Sequence, residues 1–530
     1  MTMELQLHQI STDVLIIGGG LAGLSAAIEA AGTGSKVSLV SKGKAGRSGN
    51  TVMTQNNMAV VWEGLRTNDS VERHIEDTLT GGGNLNQRDL VQVLATEAAG
   101  GISWLMEQGV QFQKDGDDLL IKGSPGHSRF RIVRAEGVSK SSHTLGLALS
   151  VPLADRAKAL GVEFLDNILI ISLLLENGRV CGAIGLLKKE ATICIIQANS
   201  VVLAGGGAGG LFQRSTNARD VCGDSYALGY QAGATLRDME FIQFHPAVTV
   251  ATPRLVLSTA PFADGAVLRN RLGEAYMSRY SPQADMTTRD VMARANFKEI
   301  TEGRGMESGS VYVDFSAVPL EIMTKNYQDI LTAFQGATMI EVAPAQHFMN
   351  GGIAIDPQCR SSVPGLWVCG EAAGGLHGAN RLAGNALTEA AVFGQRAGRF
   401  AAAEGLQSSS TSWSRPLLEA HLEARLGKWP SEGLESSLQT TTSELEPNIG
   451  QDLKRSMGVN VGVIRSERGL KQAKTDLFMI AAHLNTQSLR TYGDLLQYCQ
   501  QKMMVIASNL IVDAALQRTI SIGSHYREDY

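Results

Sequence analysis

No two cysteines in this sequence are spaced as C-x-x-C. The six that occur (Cys181, Cys194, Cys222, Cys359, Cys369 and Cys499) are scattered. That pattern argues against an internal iron–sulfur cluster or a structural zinc site, and no metal is expected. A reducing compartment is the simplest setting. Basic residues are not in excess: 47 Lys and Arg against 52 Asp and Glu leave a net charge of -5. With no basic stripe either, nothing attracts nucleic acid. No apolar run is long enough to span a bilayer. The first, Val14 to Ala31, is broken by Gly18, Gly19, Gly20 and Gly23 and lacks the basic segment that opens a secretion signal. A cytoplasmic protein is expected, with any membrane contact made through partner subunits. There is no internal repeat.

What is present is ordinary in bulk and specific in detail. At 530 residues the chain exceeds one simple core, so two or three domains are expected. Apolar residues at 44% and charged residues at 19% are the mix of a globular protein. The 58 glycines cluster in short apolar contexts, which reads as tight turns beside ligands. Asp13–Ile17 reads as a buried strand, Gly18–Gly23 as a turn, Leu24–Ala31 as a helix and Val37–Val40 as a second strand. Strands followed by glycine turns recur at Ser200–Leu203 and at Leu366–Cys369. This is the pattern of a doubly wound α/β sheet with its ligand at the strand C-terminal ends. Between Phe241 and Phe348 the segments become short and mixed, as an inserted domain would be. A polar linker, Ser408–Ser414, precedes helical periodicity over Leu453–Phe478 and Leu495–Leu516.

The run Gly18-Gly-Gly20-Leu-Ala-Gly23 is G-x-G-x-x-G between a strand and a helix. Glycines there allow the turn and bring backbone N–H groups to a pyrophosphate at the helix N-terminus. The second strand does not end in the acidic residue that usually holds a ribose hydroxyl; Ser41 and Lys42 stand there instead. That weakens an NAD reading and leaves FAD open. Ser41 can take the ribose contact or sit in a solvated turn.

Longer blocks are more specific. Val40–Thr51 contains Arg47-Ser48-Gly49-Asn50-Thr51. Gly223-Asp224-Ser leads to Gly233-Ala and to Asp238-Met-Glu-Phe-Ile-Gln-Phe-His245-Pro. Then come His347-Phe-Met-Asn-Gly-Gly, Gly370-Glu371-Ala, His377-Gly-Ala-Asn-Arg381-Leu-Ala-Gly-Asn385-Ala386-Leu387 and a closing Tyr526-Arg-Glu-Asp-Tyr530. In this order, over nearly the whole chain, they resemble the succinate dehydrogenase and fumarate reductase flavoprotein family, which includes L-aspartate oxidase. The resemblance implies an FAD-binding Rossmann-type domain in two parts (1–240 and 350–405). It also implies an inserted α+β capping domain (241–349) and a C-terminal helical domain (406–530). It places FAD on Gly18, Gly20, Gly23, Ser41, Lys42, Ser48, Thr51, Asp224 and Arg381, with Glu371 on the ribose and the Asn385–Leu387 backbone on the isoalloxazine. Many relatives attach FAD covalently to a histidine after Arg-Ser. Here Gly49 and Asn50 follow, and without an imidazole non-covalent FAD is expected.

The resemblance also points to a catalytic set of His245, Arg289, His347 and Arg381, whose chemistry is coherent. A flavin exchanges a hydride with a carbon beside a carboxylate while another group handles the proton. Arg381 can grip the carboxylate, and the histidines can donate to its oxygens. Arg289, in Thr288-Arg-Asp-Val, matches the family's proton-transfer arginine, although Arg-Asp at a helix start also reads as a charge arrangement. His377 reads as a supporting or structural residue, and His143 as structural.

The pattern departs where the substrate would lie. Relatives carry Thr-Glu-Gly-x-Arg-Gly-Glu-Gly; the matching stretch here is Ser258-Thr-Ala-Pro-Phe262-Ala-Asp264-Gly265. Ser258 keeps a hydroxyl for substrate, Thr259 replaces the carboxylate, and Phe262 replaces the arginine of the proton relay. Asp264 is the nearest surviving carboxylate. The expected activity is oxidation or reduction of a C–C bond beside a carboxylate, on a substrate other than plain succinate or fumarate. An iron–sulfur or other electron-transfer partner is expected with it. An L-aspartate oxidase-like amino-acid oxidase and an electron-transfer component of a larger complex are the alternatives.

Overall fold

The computed structural model describes residues 2–3, 5–62, 68–124, 126–137, 145–252, 254–258, 260–404, 415–426, 434–435, 438 and 448–530. The linker Ser408–Ser414, Thr259 and His143 lie outside them.

The chain folds around a seven-stranded mixed sheet. Strand β1 (Gln6–Ile17) runs down its middle, and its last four residues, Val14–Ile17, are buried. An unbroken apolar run covered on both faces is what a central parallel strand requires. Helix α1 (Leu21–Gly32) follows, β2 (Val37–Ser41) pairs parallel to β1 with Val14 opposite Val37, and helix α2 (Val71–Gly81) comes after it. Strand β3 (Glu163–Asp166) extends that side. On the other side lies β6 (Thr192–Leu203), parallel to β1 along its whole length. Its first half also pairs antiparallel with β5 (Arg179–Leu187), which pairs in turn with β4 (Ile168–Glu176). Its last residues, Val201–Leu203, pair parallel with β11 (Leu366–Val368). The sheet is therefore closed by a segment from far along the chain.

Residues 242–349 carry a separate four-stranded antiparallel sheet ordered β7 (Ile242–Thr249), β10 (Met339–Met349), β9 (Val311–Asp314), β8 (Val267–Arg269). It has its own apolar core, including Leu268, Met292, Phe315 and Val342. Helix α3 (Arg289–Glu299) packs against β7. This is the inserted α+β layer. The chain then returns to the large sheet, and α4 (Asn385–Ala403) packs on α1 through small buried residues, Ala22 and Ala26 against Gly394 and Gly398.

The C-terminal part is helical, as expected, but differs in one boundary. The periodic run Leu453–Phe478 is divided between α5 (Ile449–Asn460) and α6 (Glu467–Thr486). The break falls before Ser466, whose side chain accepts from Gly469 N and caps α6. Apolar spacing continues across the gap because both helices bury the same face, so periodicity alone could not place it. Helix α7 (Tyr492–Gln517) completes the layer behind a capping box at Thr491 and Asp494. Among the described residues no helix is long and apolar enough to cross a membrane.

Candidate active site

The C-terminal ends of β1, β2, β6 and β11 open onto one cleft. It runs from the Gly18–Gly20 turn to His245, Ser258, Arg289, His347 and Arg381. At its first end, Gly18 has φ +125°, and a Cβ there would lie 2.2 Å from Ala204 O. A Cβ on Gly23 would lie 1.8 Å from Gly18 O. Only glycine lets the strand, turn and helix approach this closely. The hydroxyl of Thr51 accepts from Leu21 N at 2.9 Å, so Thr51 satisfies one free N–H at the start of α1. Gly19 and Gly20, at the helix N-terminus, line the cleft.

The other expected cofactor residues fall around the same cleft. Ser41 ends β2 and is buried. Lys42 reaches Asp224 at 2.5 Å and Gln500 Oε1 at 2.9 Å. Two of the expected residues therefore hold each other. Burial works against the Lys42 ammonium, but Asp224 outweighs it and keeps the lysine charged, above its ordinary value. Ser48 donates to Lys44 O at 2.8 Å, bracing its own loop.

Glu371 lies deep in the cleft. Its carboxylate accepts from Met349 N at 3.1 Å and from Asn50 Nδ2 at 3.0 Å. Burial pushes it up to about 7 against these two hydrogen bonds. Ala386 and Leu387, in the first turn of α4, also face the cleft. The side chain of Asn385 does not: its Oδ1 meets His74 Nε2 at 2.9 Å, and its Nδ2 donates to Thr78 Oγ1 at 3.1 Å. Asn385 thus anchors the turn from behind while Ala386 and Leu387 beside it face the cleft.

At the far end, His245 on β7 and His347 on β10 stand side by side because the two strands pair. Their ring centroids are 5.5 Å apart. Both imidazoles are held neutral. Burial is the larger cause for each, and the neighbouring Arg289 and Arg381 add to it; His347 falls to about 3. Arg381 donates to Gln243 Oε1 at 2.8 Å and stacks over Phe348, 4.7 Å from the ring centroid. Burial, then Arg289, lowers it to about 10. Arg289, the first residue of α3, is lowered by burial. Among the described residues, neither guanidinium has a carboxylate partner, and the Nε of each is buried without a hydrogen bond. Burying a guanidinium costs several kcal/mol unless an anion compensates it. Two cations without an anionic partner among the described residues and two neutral imidazoles around one cleft can together hold a carboxylate.

The remaining expectations divide. Ser258 lines the cleft but is exposed at its edge. Phe262 turns away and is buried in the core of the inserted domain. Asp264 is bonded by the hydroxyl of Tyr327 and does not line the cleft, so it is not placed to relay a proton to Arg289. His377 pairs with Glu389 at 2.9 Å in the interior, in a structural position. Several residues at the site went unread in the sequence. Gln243 sits in the quoted Gln-Phe-His-Pro block and could have been found there. Thr216, Asn217 and His74 lie in segments without a distinctive motif.

Comparison with known proteins agrees with this geometry. An FAD binding domain family matches residues 13–387, and the fumarate reductase flavoprotein C-terminal family matches residues 450–530. The chain is 36% identical to a fumarate reductase (CoM/CoB) subunit of Methanothermobacter marburgensis, covering 100% of this chain and 96% of that protein. It is 33% identical to an L-aspartate oxidase of Caulobacter vibrioides, covering 97% and 93%. Its fold is similar to Mycobacterium smegmatis Sdh1 in complex with UQ1, with a TM-score of 0.85 at 30% identity, over 99% of this chain and 90% of that one.

Proposed function

The chain belongs to the succinate dehydrogenase and fumarate reductase flavoprotein family and is an FAD-dependent oxidoreductase, and from that premise we propose that it oxidises or reduces a C–C bond beside a carboxylate. The observation that carries this is a pair of guanidiniums, buried Arg381 and half-buried Arg289, with no anionic partner among the described residues, flanked by neutral His245 and His347 at the end of the FAD cleft. FAD supplies hydride exchange at the carbon beside the carboxylate. Arg381, braced by Gln243, grips the carboxylate, and His245, His347 and Ser258 donate to its oxygens. Arg289 handles the proton: its burial lowers the cost of losing one, as a transfer partner of a carbanion-like carbon requires. The Gly18–Gly23 turn, Ser41, Ser48, Thr51 and Glu371 would hold the cofactor, Lys42 and Asp224 would line its cleft as a pair, and the backbone of Ala386 and Leu387 would meet the isoalloxazine. The absence of any imidazole after Arg47-Ser48 supports non-covalent binding.

The substrate is a carboxylate other than plain succinate or fumarate. Phe262, which cannot carry a proton, replaces the relay arginine, and Asp264 is committed elsewhere. The proposed domain boundaries are 1–240 with 350–405 for FAD, 241–349 for the cap and 406–530 for the helical part. Relatives that are named as one subunit of an enzyme, or were solved with UQ1, support an electron-transfer partner, and we infer a cytoplasmic protein that meets membranes only through it. The L-aspartate oxidases among the relatives favour a second reading, amino-acid oxidation with peroxide release.

The test is anaerobic absorbance of the purified protein with succinate, fumarate plus a reductant, L-aspartate and larger carboxylates. One compound should bleach or reoxidise the flavin, and Arg381→Ala should reduce the effect by at least about a hundredfold. Bleaching by L-aspartate with peroxide release would establish the second reading. A flavin indifferent to every carboxylate would leave electron transfer as the function.

A further inference from the structure

Thr216 lies outside the residues read as catalytic, yet its hydroxyl is 2.8 Å from Nδ1 of His347. We propose that Thr216 is a positioning residue that holds His347 in the tautomer with its proton on Nε2, so that the ring presents an N–H to an oxygen of the bound carboxylate. The inference rests on the reading of this cleft as a carboxylate site.

As far as Asn217, the direction of each hydrogen bond follows from a group that can only donate. The backbone N–H of Ala218 donates to Asn50 Oδ1 at 3.0 Å. That fixes the Asn50 amide, whose Nδ2 must then donate to Glu371 Oε2 at 3.0 Å and to Asn217 Oδ1 at 2.8 Å. With its oxygen so engaged, Asn217 turns its Nδ2 to His347 O at 2.9 Å and toward Thr216 Oγ1 at 3.4 Å. A hydroxyl has one proton. The Thr216 oxygen faces a donor in Asn217. That oxygen has a second lone pair, so distance decides: its proton goes to Nδ1 of His347 at 2.8 Å, in preference to Gln346 O at 3.4 Å. In a neutral imidazole one nitrogen accepts and the other carries hydrogen. Nδ1 accepts here, so Nε2 carries the proton. Hydrogen positions follow from this network.

The consequence is chemical. The opposite tautomer would turn a lone pair toward a carboxylate oxygen and repel it. The chain also gives Asn50 a function. Two residues after Ser48, it sets the sense of a hydrogen-bond chain that ends at His347.

The experiment uses FAD-loaded protein labelled with nitrogen-15 at histidine, with the His347 resonances identified by their loss in His347→Gln. Wild type and Thr216→Ser should show Nε2 protonated and Nδ1 accepting; Thr216→Val should show a mixture or the opposite tautomer. An Nδ1-protonated ring in wild type, or no change in the valine variant, overturns the proposal. In parallel, malonate is titrated by its perturbation of the flavin spectrum. Its dissociation constant should rise roughly tenfold in Thr216→Val and recover in Thr216→Ser. Equal weakening by both substitutions would make Thr216 a packing residue and also overturn the proposal. If Arg381→Ala abolishes malonate binding while Thr216→Val leaves it unchanged, the carboxylate site stands and this inference falls. If malonate does not bind wild type, the carboxylate reading suffers and the nitrogen shifts alone decide the tautomer.

Discussion

His74 shows how much a residue can matter without belonging to any motif. It is fully buried behind the first turn of α4, where Nε2 meets Asn385. Burial, the largest cause, lowers it to about 4 from an ordinary value of 6.5, although the Asn385 contact opposes the shift. The unfolded chain therefore takes up a proton below about pH 6.5 while the folded protein refuses it until about pH 4. The stability His74 contributes is complete above pH 6.5 and is lost as pH falls toward 4, by about 3 kcal/mol over the window. His74→Gln keeps a donor toward Asn385 and does not titrate. Thermal melts between pH 6.5 and 4.5 should fall less steeply for the variant; parallel slopes would place the pH sensitivity elsewhere. His74 could not be read from the sequence because its partner is 311 residues away. Gly18 and Gly23 could, because their function is written within six neighbouring positions.

At the scale of an element, α3 is the telling case. Its terminal residues, Arg289 and Glu299, carry charges that oppose the helix dipole, while Asp290 and Lys298 beside them favour it. Tertiary contacts hold the arrangement. The Glu299 carboxylate, fully buried, is gripped by Arg304 through two contacts of 2.9 Å, by Tyr280 at 2.6 Å and by Asn270 at 2.9 Å. These hydrogen bonds overcome the cost of burial and pull Glu299 down to about 2. Glu299→Gln would remove the buried charge on which these hydrogen bonds converge, while Arg304 keeps Glu302 at 2.6 Å, and should destabilise the inserted domain by about 2 kcal/mol, visible as an earlier thermal transition. Its FAD content should stay near that of wild type, because the large sheet keeps a separate core. Loss of FAD in parallel with the early transition would show that the two layers unfold as one. Apolar spacing did reveal the helical C-terminal part, but not the gap between α5 and α6, since a shared buried face disguises an interruption.

At the scale of the whole molecule, the FAD cleft draws on residues from Gly18 to Leu387, on strands adjacent in the sheet and remote in the chain. A cofactor bound there ties those segments together. Removing FAD should lower the melting temperature. Adding it back at about a hundred times its dissociation constant should restore about 2.7 kcal/mol. Acid precipitation should release the yellow cofactor into solution; a yellow pellet would mean a covalent bond made by a residue outside the Arg47-Ser48-Gly49-Asn50 run.

The sequence by itself determined the family, the α/β class, the FAD turn and the identities of the four charged or imidazole-bearing residues at the far end of the cleft. It could do so because each signal is local: a glycine spacing, a strand before a turn, a block of consecutive residues. Only the tertiary structure decided which groups are spent on one another and which remain free for a ligand. Lys42 is paired with Asp224, Asp264 is held by Tyr327, and Asn385 faces backward to His74, whereas Arg289 and Arg381 have no anionic partner among the described residues. Charge pairing, burial and hydrogen-bond direction depend on neighbours brought together by pairing β7 with β10 and β6 with β11, and no spacing along the chain records them.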